Sequence, residues 1–431
     1  MSQDALAIHG GTPTRCEPWA PWPEHGEAER TALTRVLESR SWGGHPSPNT
    51  EARGFCAEFA RYVGSEHAVA CANGTVAIQL ALQAARVRPG AEVIVPAYTF
   101  VATAAAAAMA GFIPVLVDVL ADTYCIDPER VEAAVSNRTE AVIPVHLASS
   151  MADLDRLSDL CARRGLLLVE DCAHAHGARW RDRGAGSIGD LGTFSMQTTK
   201  LLTSGEGGAI TTSDAQLAQR LQSLVNCGRK EPGYDGFPER MLGHNLRMTE
   251  WQAAILRAQL DRLPEQHTRR AERIARFERE IVEIPGLAPL PPDPRVSFRT
   301  AYQLIVRYDR RAFCDVPRDR ALEALRAEGV PCSGRFYLPL SDDPLFAADP
   351  LTNPATRAGA DFSELRFPVS ARAAYDEAIW LPHELFLGCD RDVTDLLTAF
   401  SRVQDRAATL REDSGSAPTG PRGYAREGAR R

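Results

Sequence analysis

The sequence holds little of what marks a secreted, membrane-bound or metal-binding chain. Its first residues, MSQDALAIHGGTPTR, lack a basic start followed by an apolar core, so no signal peptide is read there. The most apolar run, VATAAAAAMAGFIPVLVDV (101–119), is rich in alanine and carries Pro114 and Asp118. That run predicts a core helix followed by a strand rather than a membrane span. Ten cysteines occur without a Cys-x-x-Cys pair or Cys/His metal spacing. Such usage predicts mostly buried free thiols, a reducing cytoplasm and no metal site. No internal repeat is seen. Basic charge is also in short supply: 49 Lys and Arg against 56 Asp and Glu leave a net charge of −7. This balance argues against nucleic acid or a membrane surface as partner.

What is present suits a soluble protein of two or three units. The chain has 431 residues, 44% of them hydrophobic and 24% charged. From residue 67 short apolar runs alternate with helical patterns. HAVACAN (67–73), EVIVPAY (92–98), IPVLVDV (113–119), AVIPVHL (141–147), LLLVEDC (166–172), GTFSMQ (192–197) and GAITTS (208–213) read as strands. Most are apolar at consecutive positions, as in a sheet covered on both faces. Between them GTVAIQLALQAARV (74–87) and MADLDRLSDLCARRG (151–165) read as helices, the second closed by Gly165. Alternation of this kind predicts an α/β domain with a largely parallel sheet. After 250 the chain reads as a long helix (251–281), then a proline-rich linker (285–296). A smaller strand–helix–strand unit follows, with AYQLIVRYD (301–309), RDRALEALRAEG (318–329) and VPCSGRFY (330–337). The polar tail 412–431 reads as disordered.

Ligands of such sheets gather where strands end and helices begin. The polar and glycine residues at those ends are Asn73-Gly74-Thr75, Tyr98-Thr99-Phe100, His146, Asp171–His174 and Ser195–Lys200. Taken singly, each has a plain structural reading. Asp171 can cap a helix, Lys200 can sit on the surface, and GEGG (205–208) can be a turn. Together they answer one chemical demand. Pyridoxal phosphate needs a lysine amine for its aldehyde, an acid for its ring nitrogen and an aromatic face over the ring. Its phosphate needs backbone N–H groups at a helix N-terminus, helped by a hydroxyl. Lys200, Asp171, Phe100 or Tyr98, Gly74-Thr75 and Ser195 supply one candidate for each role.

At this point the chain resembles a known family. The segments ANGTVAIQLAL, EVIVPAYTFVAT, PVHL, VEDCAHAHGA, GDLGTFSMQTTKLLTSGEGGAI and GHNLRMTEWQAAIL are similar to those of the DegT/DnrJ/EryC1/StrS aminotransferases, from about residue 10 to about 405. The resemblance implies a fold-type I, α/β aminotransferase. An N-terminal arm and helix (1–40) would precede a large cofactor domain (41–283) and a small C-terminal α/β domain (284–411), with the tail beyond. It implies that Lys200 binds pyridoxal 5'-phosphate and shuttles a proton, and that Asp171 pairs with the ring nitrogen. Phe100 would stack on the ring and His174 would touch its phenolic oxygen or face. Gly74, Thr75 and Ser195 would hold the phosphate, and Asn245 would reach the phosphate of a neighbouring subunit in a homodimer with shared active sites.

His146, His176, His244, Arg247 and Trp42 are further candidates for the site walls, while Trp19 and Trp22 read as core. Because the lysine is present, transamination is implied rather than the dehydration of related enzymes. Small-molecule amino donors, L-glutamine or L-glutamate, and a keto-cyclitol of scyllo-inosose type are the implied partners. Other readings are a nucleotide-linked keto-sugar aminotransferase, with Arg229, Lys230 and Arg247 facing the diphosphate, an aminohydroxybenzoate synthase, and a non-catalytic cofactor-binding partner chain.

Overall fold

The computed structural model describes residues 5–44, 49–229, 241–346, 362 and 364–411. Lys230 and the tail 412–431 lie outside the described residues. The strands are β1 (His67–Cys71), β2 (Glu92–Pro96), β3 (Ile113–Val117), β4 (Thr139–Val142), β5 (Leu167–Asp171), β6 (Arg179–Trp180), β7 (Arg183–Gly184), β8 (Leu191–Ser195), β9 (Gly208–Thr212), β10 (Leu287–Pro289), β11 (Val296–Phe298), β12 (Gln303–Tyr308) and β13 (Ala378–Pro382). Seven of them form one sheet in the order β1-β9-β8-β5-β4-β2-β3. From β3 to β8 the neighbours run parallel, and β9 lies antiparallel to both β8 and β1. Every residue of β2 and β9 is buried, which explains their consecutive apolar positions.

Helices α1 (Glu27–Ser39) and α2 (Thr50–Val63) precede the sheet, α3 (Gly74–Ala84), α4 (Ala102–Met109), α5 (Pro128–Ala134) and α6 (Leu154–Arg164) cross between its strands, and α7 (Ala215–Val225) follows its last strand, β9. Local chemistry sets their ends. Asn73 accepts the N–H of Val76 to open α3, and Asp153 does the same for Arg156 in α6. Helix α6 stops at Gly165, whose φ of 65° is left-handed. Helix α8 (Glu250–Ile281) begins with a reciprocal cap. Thr249 Oγ1 accepts from Gln252 N, and Gln252 Oε1 accepts from Thr249 N at 2.9 Å. Its first half buries Ala253, Leu256, Leu260 and Leu263 beside the large sheet. The second half buries Ile274, Phe277 and Ile281 in a second core.

That second core holds β10, β12 and β13 as an antiparallel sheet, with α9 (Arg318–Ala327); α10 (Pro368–Arg372) sets Val369 against a separate cluster with Val117 and Trp380, and α11 (Asp390–Asp405) and α12 (Ala407–Arg411) return to the second core. Two segments differ from the sequence reading. The stretch expected as a linker, 285–296, contributes β10 and enters β11, which pairs with β6. The stretch expected as a strand, 330–337, is irregular, and its one strand-like contact is the Ser333–Trp380 bridge. Proline at 331 has no N–H to offer a ladder. The buried Arg318 guanidinium, which donates to the carbonyls of Gly334, Ala373, Ala374 and Ala378, holds the segment instead. The second sheet is completed by β13.

Candidate active site

The decisive side chains sit where β5 and β8 end beside the starts of α3 and α4. Parallel pairing sets Asp171, the last residue of β5, opposite Thr193, two residues before Ser195. Asp171 is 6% exposed. Its Oδ1 accepts from Ala173 N at 3.2 Å and its Oδ2 from Thr103 Oγ1 at 2.9 Å. Burial is the main influence and pushes its carboxyl above the usual range, against the donors and the Lys200 charge. A carboxylate placed so deep, with donors on both oxygens, suits a cationic ring nitrogen.

Ser195 meets the start of α3 at a very close approach. A Cβ built on Gly74 would lie 2.6 Å from Ser195 Cβ, so glycine is what lets this helix N-terminus approach the strand. Gly208 plays the matching part on β9, where a Cβ would fall 2.5 Å from the backbone of Asn73. Asn73 takes the N–H of Val76 on its side chain and that of Ala77 on its carbonyl. The two preceding N–H groups, of Gly74 and Thr75, open the helix beside Ser195, which makes an anion seat.

Lys200 follows in the loop after β8. Its Nζ lies 4.2 Å above the ring of Tyr302, whose hydroxyl is 2.7 Å from Thr199 Oγ1. Burial pulls the amine down to about 8, with the Asp171 charge opposing. Trp22 donates to the carbonyl of Thr198 at 2.9 Å, and His383 Nε2 lies 3.2 Å from that of Thr199. Trp22 therefore braces the lysine loop instead of merely filling core.

His174 lies against Tyr302, with ring centroids 4.2 Å apart. Its Nδ1 accepts from Ala148 N at 3.1 Å, so the ring proton is on Nε2, which donates to Tyr337 Oη at 3.0 Å. Burial, with the nearby Lys200 charge, holds this ring well below the usual histidine range and neutral. Both nitrogens are thus engaged by protein. Phe100, three residues before Thr103, is 50% exposed, with its ring centroid 6.0 Å from Tyr337. Tyr98, the other candidate ring face, is buried and takes a bond from Trp380 Nε1, which makes it core.

The other candidates are engaged by partners of their own or lie at the surface. His146 is buried, its Nδ1 accepting from Ala152 N and its Nε2 facing Glu170 at 3.0 Å. Glu170 also accepts from the amides of Gly186, Ile188 and Gly189. Cys172 joins these two in a buried group whose ligand atoms lie within 4.8 Å, but His146 and Glu170 are already committed to protein partners. His176 is buried against Phe194. Asn245 and His244 are exposed, on a segment bridged to Asn226 after α7. Arg247 donates to Asn226 Oδ1 at 2.8 Å. Trp42 is exposed beside Trp251, Arg229 is exposed, and Trp19 donates to Gly329 O.

The model of the DegT/DnrJ/EryC1/StrS aminotransferase family matches residues 23–395. The chain belongs to this family. It is an aminotransferase. It is 44% identical over 414 residues to a protein of Streptoalloteichus tenebrarius named putative L-glutamine:3-amino-2,3-dideoxy-scyllo-inosose aminotransferase, covering 94% of this chain and 99% of that one. The L-glutamine:2-deoxy-scyllo-inosose aminotransferase of the same organism is 39% identical, again covering 94% and 99%. Among solved structures, 3-amino-5-hydroxybenzoic acid synthase superposes with a TM-score of 0.80 at 34% identity, covering 91% of this chain and all of that one. DesI, solved in the presence of its TDP-sugar product, gives 0.79 at 30%, covering 95% of this chain and all of that one. The parallel sheet with flanking helices is the architecture of these neighbours.

Three side chains of the candidate site escaped the sequence reading: Thr103, Tyr302 and Tyr337. Tyr302 and Tyr337 come from the chain beyond α8, more than a hundred residues from Asp171 and Lys200, and no local motif marks them. Thr103 carried a signal, as the single hydroxyl in an alanine helix. A second overlooked signal was scarcity. Lysine occurs twice in 431 residues, at 200 and 230, so nearly all basic side chains are arginine.

Proposed function

We propose that this enzyme moves the amino group of L-glutamine to a keto-cyclitol of the scyllo-inosose type, with pyridoxal 5'-phosphate as cofactor, as a cytoplasmic homodimer. One observation carries the cofactor reading: a deeply buried carboxylate and a lysine amine lowered to about 8 stand at neighbouring strand ends, facing a helix N-terminus that glycine brings close. Pyridoxal phosphate, when bound, offers an aldehyde carbon to carry the migrating nitrogen and a ring that takes up electrons as the donor loses its α-proton. The chain's own residues do the rest. Lys200 Nζ holds the aldehyde carbon and, once released, moves the proton between the donor α-carbon and that carbon. Asp171 accepts a hydrogen bond from the ring nitrogen. The N–H groups of Gly74 and Thr75 and the hydroxyl of Ser195 take the phosphate. Phe100, open to the cleft, lies on the ring, and His174 borders it. Exposed Asn245 reaches the phosphate across the dimer, where Asn245 of the partner subunit returns the contact.

Glutamine and inosose are preferred because relatives named for them are 39–44% identical, whereas the TDP-sugar enzyme is 30% identical. Among inososes, the amino-substituted ketone is the first to test, since the 44% relatives carry that name. The assay offers L-glutamine and L-glutamate to the purified enzyme with 3-amino-2,3-dideoxy-scyllo-inosose, 2-deoxy-scyllo-inosose and a nucleotide keto-sugar, followed by mass spectrometry. Amination of an inosose from glutamine is expected. Amination of the nucleotide sugar alone would sink the acceptor assignment. A visible cofactor band unmoved by every amino donor would point to a binding partner chain.

A further inference from the structure

Helix α4 reads ATAAAAAM, and Thr103 is its one hydroxyl. Threonine forms helices less readily than alanine, and this side chain is 1% exposed, so neither propensity nor solvation accounts for it. Its contacts do. Thr103 Oγ1 is 2.9 Å from Asp171 Oδ2 and 3.1 Å from Thr99 Oγ1, and Thr99 is itself 2% exposed. A hydroxyl has one proton to give, and an ionised carboxylate only accepts. Thr103 therefore donates to Asp171, and Thr99 donates to Thr103. The result is a one-way line of donors onto Oδ2, while Ala173 N holds Oδ1. With both oxygens fixed, the plane of the carboxylate is fixed.

We propose that Thr103, backed by Thr99, is a positioning residue that keeps Asp171 ionised and its carboxylate turned toward the cofactor ring nitrogen. This rests on the pyridoxal-phosphate reading of the site. Burial drives Asp171 toward its neutral form, and the donors oppose it. Two other charged or titratable groups face Asp171 from neighbouring elements, Lys200 after β8 and His146 after β4, and Cys172 follows it just past the end of β5. His146 shares its proton with Glu170, so among the side chains Thr103 is the direct hydrogen-bond donor to Asp171.

The test uses holoenzyme bearing Thr103→Val, Thr103→Ser or Thr99→Val, with the pyridoxal phosphate dissociation constant measured from pH 5 to 9 beside kcat and KM. Losing a charge-assisted hydrogen bond weakens cofactor affinity about tenfold in Thr103→Val. A carboxylate without this donor takes up its proton sooner on acidification. The acid-side loss of affinity therefore begins about one pH unit higher. kcat falls while the donor KM changes little, Thr103→Ser restores all three, and Thr99→Val moves them less in the same direction. Thr99→Val carries the test alone if Thr103→Val does not fold. A wild-type affinity profile in Thr103→Val, or a Thr103→Ser enzyme as impaired as the valine form, overturns the inference while leaving the cofactor reading intact. Wild-type protein with no visible band and no borohydride-fixed adduct at Lys200 overturns both.

Discussion

A lysine amine attacks a carbonyl only when it carries a free electron pair. At pH 7 an ordinary lysine offers that form in well under about one molecule in a thousand, whereas an amine at about 8 offers it in about one in ten. Burial of Lys200 thus raises its reactive fraction by more than about a hundredfold before any cofactor contact is made. Cofactor capture by apoenzyme should therefore quicken with pH, with a midpoint near about 8 and a plateau above it, read from the growth of the visible band. A midpoint near 10 would show an amine that feels no burial. With two lysines in the chain, borohydride fixation and peptide mapping report the attachment site almost without ambiguity. At this scale Asp171 and Ser195 stood out because each ends a buried strand, and Lys200 because it follows in the loop just beyond one. Tyr302 and Tyr337 did not, because their meaning comes from a fold that carries them back from beyond α8.

The proposed phosphate seat belongs to the scale of elements, since it depends on the contact of α3 with the end of β8. Gly74→Ala puts a methyl group 2.6 Å from Ser195 Cβ, so one of the two elements has to yield. Overpacking of this sort costs about 1–3 kcal/mol. The displacement falls on the phosphate ligands, so cofactor affinity should drop about tenfold or more while melting of the apoenzyme shifts by only a few degrees. Unchanged affinity, measured by dialysis against limiting cofactor, would show that the seat lies elsewhere. Strands of the main sheet were readable from runs of apolar residues alone, because burial on both faces removes the need for alternation. The segments at 285–296 and 330–337 were misread for a related reason. Their short pairings are dictated by partners distant in sequence, β6 and β12 for the first and Arg318 for the second, and prolines mask the pattern.

Across the whole molecule, acid sensitivity follows from buried imidazoles. His174, His176, His267 and His383 are all held below the usual histidine range by burial, His176 to about 3. Their folded forms stay neutral where the unfolded chain would bind protons. The stability this gives is complete above about pH 6.5 and is lost as pH falls toward the folded values, by up to about 1.4 kcal/mol per pH unit for each ring. The melting temperature should accordingly fall by several degrees between about pH 6.5 and 5, before carboxylates begin to titrate. A flat profile over that interval would mean that these rings are charged in the folded protein. The arm at the N-terminus is fixed on the same scale. Buried Glu328 accepts from Ala7 N, Thr14 N and Arg402, tying the first residues to the second core.

Helix α8 is a single span of 32 residues, about 48 Å long at 1.5 Å per residue. One end is set in the packing beside the large sheet and the other in the second core. A beam built into both walls leaves little freedom for the walls to swing, and its one weak point is Pro264, which withholds a hydrogen bond mid-span. Movement that admits a ligand is therefore expected of half-exposed Phe100 at its strand end, not of the two cores against each other.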